Sequence, residues 1–178
     1  MELRELRDAF GTYPTGVTVV TCVRRDGTAV GVTANSFVSL SLSPPLVSVA
    51  LHKAARHLQA FIDSGTFAIN VLRADQHGLS NLFARPSECS WKDVRFHVAP
   101  SGHLLLDRAA ACFLCHISAR HPVGDHLLLV GEVEHFAHEA DVEPLALLRG
   151  RYGTFRLATH TPPVELLDDS LTSSIGWG

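Results

Sequence analysis

Residues 16–47 read GVTVVTCVRRDGTAVGVTANSFVSLSLSPPLV, and the succession of patterns inside this stretch decides the fold class. Its first ten residues are rich in β-branched side chains, Asp26-Gly27 is a tight-turn signal, and TAVGVTAN follows, so residues 17–35 read as a β-hairpin. From Val38 to Leu42 the alternation is strict. Val38, Leu40 and Leu42 fall on one parity and Ser39, Ser41 and Ser43 on the other, the period-2 signature of a half-buried strand that stops at Pro44-Pro45. This predicts one face that packs and another lined with small hydroxyls. A polar face in water accounts for the alternation by itself. A solvent-facing strand, however, usually carries Lys, Glu, Arg or Thr, and no charged residue occurs from Gly31 to Leu51. The uncharged run suggests a surface that a ligand covers.

Outward from this stretch the strands continue. LVSVALH (46–52) reads as a buried strand, Leu58, Phe61 and Ile62 give a helical face that Gly65 ends, and TFAINVL returns to strand. In DQHGLSNLFA the spacing of Leu79, Leu82 and Phe83 predicts a helix with Asp75 placed to cap it. Leu3, Leu6 and Phe10 predict a short amphipathic helix ending before Gly11. HLLLD, ACFLCHISARH and HLLLVGEVEHFAHE read as strands, the last two joined by Pro122-Val123-Gly124-Asp125, and VEPLALLRG as a helical turn or loop. Residues 85–103 show no assignable pattern. Many strands, two or three short helices and no βαβ alternation predict a mainly β protein, a closed or nearly closed antiparallel barrel. With 178 residues and 46% hydrophobic content, one domain is expected, with its core over about 9–160 and a C-terminal tail over 161–178.

The totals narrow the function. A net charge of −3 with eleven scattered histidines leaves no basic stripe, which argues against nucleic acid. No apolar run approaches the ~20 residues of a bilayer span, and the charged start MELRELRDAF is unlike a signal peptide, so a soluble cytoplasmic protein is expected. Of the four cysteines, the CFLC pair at 112 and 115 sits in a strand-like run, where an offset of three puts the thiols on opposite faces. They read as packing residues, and no metal is expected; His116 and His121 read as structural. There is no nucleophile elbow, metal-binding helix, P-loop or dinucleotide G-x-G-x-x-G turn. The economical alternative is that a cofactor carries the chemistry.

Three places offer a site. TANSFVSLS presents backbone amides and small side chains to a planar ring edge. HKAARH (52–57) places Lys53 and Arg56 with the free amides of a helix start, which suits a phosphate, although taken alone the segment reads rather as a solvated basic turn. In VGDHLLLVGEV, His126 follows a sharp turn, where a solvent-exposed hairpin histidine is the plain alternative.

The order PTGVTVVT, GVTANSFVSLSLSPPLVSVAL, KAARH, FAINVL with DQHGLSNLFA, GDHLLLVGEV and RGRYGTF resembles the flavin reductase-like family of FMN-binding split barrels. That family includes the reductase components of two-component flavin-dependent monooxygenases. The similarity runs over residues 9–155. It implies a homodimer of Greek-key split barrels that binds FAD or FMN and reduces it with NADH or NADPH for a separate monooxygenase. Carried onto this sequence, the resemblance implies that Thr33, Ala34, Asn35 and Ser36 meet the isoalloxazine and ribityl chain, with Ser39 and Leu40 close by. Lys53, Ala54, Ala55 and Arg56 would hold the flavin phosphate. Relatives often have serines where Ala54 and Ala55 stand, so amides and the two cations must do more here. Asn81, Phe83, Ala84 and Arg85 would lie against the rest of an FAD. His126 resembles the nicotinamide-side catalytic residue, in a positioning and electrostatic role, and Arg151, Tyr152 and Gly153 the pyridine-nucleotide contact. Hydride transfer from nicotinamide C4 to flavin N5 would need rings stacked at roughly 3–3.5 Å. Two other readings share the barrel: a flavin-binding module that stores or senses flavin, and a split-barrel oxidase of a small substrate.

Overall fold

A computed structural model describes residues 2–85 and 90–156, so the expected tail 161–178 and the last residues of the expected core lie outside the described residues. In chain order the elements are α1 (Leu3–Phe10), β1 (Thr15–Gly16), β2 (Thr18–Val23), β3 (Ala29–Ala34), β4 (Val38–Leu42), β5 (Pro45–His52), α2 (Leu58–Ser64) and β6 (Thr66–Val71). They continue with a single 3₁₀ turn (Ala74–Gln76), α3 (His77–Phe83), β7 (Phe96–Val98), β8 (Leu104–Leu106), β9 (Ala111–Val123), β10 (His126–His138), β11 (Leu145–Leu148) and β12 (Arg151–Thr154).

Seven strands form one antiparallel sheet in the order β3-β2-β6-β9-β10-β5-β4. It curls around a single core: Val30 and Ala34 of β3 pack in the same buried cluster as Val47, Val49 and Leu51 of β5. The edge strands β3 and β4 do not pair with each other: β3 bonds only β2 and β4 only β5, and β3 packs across the core on β5. The barrel is therefore mainly β and antiparallel, as expected, but open along one seam. β2 explains its own apolar run, since both of its faces are covered. Val20 and Cys22 point into the barrel core, while Val17 just before it and Val19 within it join Leu72, Phe83, Leu104 and Leu145 outside. Asn70 pins the centre, donating to Val19 O and Thr21 Oγ1 and accepting from the Leu106 amide, so this fully buried amide is satisfied.

The expected hairpin over 17–35 is present, with Gly27 at φ 83° in its turn. α2 ends on Gly65 at φ 71°, the left-handed stop that glycine suits. Cys115 is buried in the barrel core and Cys112 packs against the outer cluster with Ala68, Leu105 and Leu114, so the CFLC thiols do lie on opposite faces. Among the described residues no group of metal-ligating side chains comes together, and no helix is long and apolar enough to cross a membrane.

Four expectations are corrected. The apolar parity of β4 does not pack within the chain: Val38, Leu40 and Leu42 are 51%, 44% and 80% exposed. β4 is an edge strand with a bulge between Ser39 and Ser41, which takes Leu40 out of the ladder. LALL within VEPLALLRG is a strand, β11, held between β1 and β12 in a separate three-stranded sheet. Asp75 caps no helix, because α3 starts after Gln76 with no side-chain cap, and the Asp75 carboxylate instead pairs with Arg108 at 2.8 Å. Pro122 and Val123 belong to β9, which leaves Gly124-Asp125 alone as the turn into β10. α1 forms as expected but buries none of its residues.

Candidate functional site

At the seam a cavity of about 310 Å³ opens between β3 (Gly31, Val32), the end of β5 (Leu51, His52), the following turn (Ala54, Ala55, Arg56, His57) and the end of α3 (Phe83, Ala84, Arg85). Buried Phe61 and Phe83 form its apolar floor. Gly31 makes the wall flat: a Cβ there would stand 2.7 Å from the Phe83 ring. Among the described residues Arg56 and Arg85 line the cavity and no carboxylate does, so its donors suit an anionic group such as a phosphate. Residues 54–56 and 83–85 of two segments singled out in sequence thus meet in one place, while Lys53 does not line the cavity.

The turn itself differs from expectation. Its amides were expected to be open to a phosphate, but they are spent on the protein. Lys53 N–H donates to Asp125 O (2.8 Å), Ala54 N–H to His52 Nδ1 (3.0 Å) and Ala55 N–H to His52 O (2.8 Å). Lys53 Nζ donates to Gly124 O at 2.6 Å. The sequence here runs off the end of β5 directly opposite the β9–β10 hairpin, so Lys53 meets the carbonyls of Gly124 and Asp125 while Ala54 and Ala55 fold back onto His52. The amides of Lys53, Ala54 and Ala55 are therefore spent, and the Arg56 and Arg85 side chains line the cavity.

That same pairing places His126 beside the cavity, since His126 opens β10 opposite His52, the last residue of β5. His126 Nδ1 donates to Asp125 Oδ1 at 2.6 Å, which leaves Nε2 as the acceptor of the neutral ring. His52 Nδ1 accepts from Ala54, so its Nε2–H faces Asp125 Oδ2 at 3.7 Å. The two imidazoles stand edge to face, 5.1 Å between centroids. The hydrogen bond from His126 holds the Asp125 carboxyl below the usual carboxylate range. His52, which lines the cavity, links it to His126.

α3 joins the remaining segments. Thr33 Oγ1 donates to Ser80 O at 2.7 Å, Ser80 Oγ lies 2.8 Å from Tyr152 Oη, and Tyr152 Oη donates to Asn81 Oδ1 at 3.0 Å. Because the phenol proton goes to Asn81, the Ser80 hydroxyl is the donor to Tyr152. Thr33, Asn81 and Tyr152 were expected at the site; Ser80, 1% exposed, was not. Nothing in the sequence marks it, for a serine inside a short helix has no distinguishing pattern. The other expected residues fall nearby with different freedom. Ala34 is buried, its carbonyl accepting from Thr18 Oγ1 at 2.8 Å, and Asn35 is exposed. Ser36 Oγ donates to Ala50 O (2.9 Å) and accepts from Ala50 N–H (3.0 Å), stitching the β3–β4 link to β5. Ser39 and Leu40 are exposed on the edge strand, and Arg151 and Gly153 are exposed on β12.

An antiparallel barrel left open along one seam, with a cationic cavity at that seam, defines the split-barrel class of flavin reductase folds. Residues 10–156 match the flavin reductase like domain, and the chain belongs to that family. It is 42% identical over 153 residues to the reductase component of a flavin-dependent trigonelline monooxygenase from Acinetobacter baylyi, covering 86% of this chain and 49% of that protein. It is 40% identical over 152 residues to the FMN reductase (NADH) SmoA of Agrobacterium fabrum, covering 85% and 86%. The chain spans about half the length of the first curated relatives it matches, at 49% and 50%. Among solved structures, the Streptomyces globisporus NADH:FAD oxidoreductase SgcE6, determined with NAD and FAD fragments, superposes with a TM-score of 0.81 at 36% identity, over 89% of this chain and 94% of that one.

Proposed function

We propose that this chain is an NAD(P)H:flavin oxidoreductase: it reduces FAD or FMN with NADH or NADPH and hands the reduced flavin to a separate monooxygenase, acting as a homodimer in the cytoplasm. The observation that carries this reading is the seam cavity, apolar at its floor, rimmed by Arg56 and Arg85, with no carboxylate among the described residues that line it, and joined through His52 to His126. The names of the relatives, an FMN reductase (NADH) and a monooxygenase reductase component, support it.

A bound flavin supplies what these side chains lack, an acceptor for a hydride. The chain's own residues bind and orient. Arg56 and Arg85 hold the phosphate, Lys53 braces the turn against the β9–β10 hairpin, and residues 33–36 line the ring edge through their backbone. Burial of Phe61 and Phe83 keeps water from the cavity floor. His126, with Nδ1–H fixed on Asp125, presents Nε2 as an acceptor to the carboxamide side of the nicotinamide. Tyr152, locked by Ser80 and Asn81, borders the same nucleotide.

Anaerobic stopped-flow with each flavin and each nicotinamide tests the proposal through bleaching of the flavin. Bleaching by NADH or NADPH, with continued turnover on excess free flavin, is expected. Tight flavin binding without turnover would make the protein a storage or sensing module instead.

A further inference from the structure

The hydrogen bond from Ala54 N–H to His52 Nδ1, 3.0 Å long, joins two residues that both line the seam cavity. We propose that His52 is a proton-linked switch for anion binding there: protonation of Nδ1 releases the Ala54 amide, which then donates to the flavin phosphate. The inference rests on the reading above that the phosphate sits at Arg56 and Arg85.

Valence sets the linkage. An imidazole nitrogen accepts a hydrogen bond only while it carries no proton, so the contact with Ala54 fixes the neutral His52 ring with its proton on Nε2. A second proton has one place to go, Nδ1. Once Nδ1 carries a proton it no longer accepts, and the Ala54 amide loses its partner. Of the amides of Lys53, Ala54 and Ala55 only that of Ala54 depends on a titratable group, since the other two donate to the carbonyls of Asp125 and His52. One proton therefore adds two donors, Nδ1–H and Ala54 N–H, in a wall where Ala54 and Ala55 offer no hydroxyl.

Charge decides when the proton is taken up. Among the described residues, the titratable and charged groups around His52 are Asp125 and His126 of the β9–β10 hairpin, Lys53, Arg56 and His57 of the following turn, and Arg85 at the end of α3. Asp125 Oδ2, 3.7 Å from Nε2, favours an imidazolium, while the two guanidiniums and the Lys53 ammonium oppose it. The Asp125 side chain is 75% exposed, so water screens its pull. A phosphate at Arg56 and Arg85 reverses that balance by bringing up to about two negative charges to the same cavity. Histidine is the side chain whose ordinary pKa, about 6.5, lets such a change of field move a proton near neutral pH.

Isothermal titration of the full chain with FMN and with riboflavin, which has no phosphate, tests the switch between about pH 7 and 8.5, where a phosphate monoester is already mostly a dianion. Each pH is run in two buffers of different ionisation enthalpy, so that proton uptake is read directly. For the wild type, FMN affinity is expected to fall about threefold to tenfold as pH rises across this range, with net proton uptake, and riboflavin affinity to stay constant. His52→Asn keeps an acceptor for Ala54 N–H in its side-chain oxygen and takes up no proton, so its FMN affinity should be weak and flat with pH. His52→Ala frees the amide outright, and its FMN affinity should be flat as well but tighter than that of His52→Asn throughout. FMN binding by the wild type without proton uptake overturns the proposal. Equal weakening by His52→Asn and His52→Ala overturns it too, as does the same pH dependence with riboflavin. If the wild type binds FMN no more tightly than riboflavin, the phosphate reading of the seam cavity itself falls, and this inference with it.

Discussion

The Tyr152 hydroxyl lies 2.8 Å from that of Ser80, and this contact ties β12 to α3 across 72 residues of sequence. Tyr152 also donates to Asn81, so its ring is held at both lone pair and proton. Tyr152→Phe and Ser80→Ala are each expected to raise the KM for NADH about fivefold to tenfold, the scale of one hydrogen bond. Flavin affinity should hardly change, and the double variant should be no worse than the poorer single one. Additive losses would show that the two hydroxyls act separately.

His126→Ala should raise the nicotinamide KM or slow flavin reduction while leaving flavin affinity nearly unchanged. Unaltered reduction kinetics would remove His126 from the site. Its partner carries a pH signature. The Asp125 carboxyl is depressed first by the hydrogen bond from His126, so the contact contributes stability fully above the ordinary value of 3.8 and loses it as pH falls through the lower folded value. The difference in Tm between wild type and Asp125→Asn should therefore shrink on acidification through that range and be constant at neutral pH.

Replacing Arg56 or Arg85 by Ala tests the seam cavity. Each should weaken FMN binding by about 1.5–3 kcal/mol, the range for a charge-assisted contact, and leave riboflavin, which has no phosphate, unaffected. Equal weakening of both ligands would place the arginines against the ring system instead. Isothermal titration with the two flavins distinguishes these outcomes.

Gly131 lies where β10 shifts register, and a Cβ on it would stand 2.5 Å from Phe67 Cζ and 2.9 Å from Cys115 Cβ. Gly131→Ala should cost about 1–3 kcal/mol or more from overpacking, read as a lower denaturant midpoint with unchanged slope.

Burial pushes the Cys22 and Cys115 thiols from the ordinary 9.0 up to about 12. Their stabilising effect is complete below 9.0, where both states are protonated, and is lost as pH rises toward 12, because only the unfolded thiols ionise in that interval. A Cys89→Ser/Cys112→Ser variant should resist thiol reagents when native and react fully in denaturant. Rapid labelling of the native variant would contradict the burial.

How far the chain could be read varied with the range of the interactions. The hairpin over 17–35 and the helix before Gly65 rest on contacts within a few residues, so turn chemistry and periodicity suffice for them. β4 was legible as a strand, but alternation marks two different faces and says nothing of what covers either, and its apolar face proved exposed. LALL misled because four apolar residues satisfy helix and strand alike; only pairing with β1 and β12 makes them a strand. GDH was legible as a turn with a histidine. That His126 would stand against His52 depends on the β5–β10 register, which no local pattern encodes.

Periodicity and turn residues point to a mainly β antiparallel barrel, because strand propensity and turn geometry are local properties, and the order of motifs carries the resemblance to the flavin reductase like family. The open seam, the cation-lined cavity in it, the consumption of the Lys53–Ala55 amides and the Ser80–Tyr152 contact come only from the folded arrangement. Each depends on how the sheet curls and which distant groups then meet, and a donor bonds whichever acceptor that curvature brings within reach.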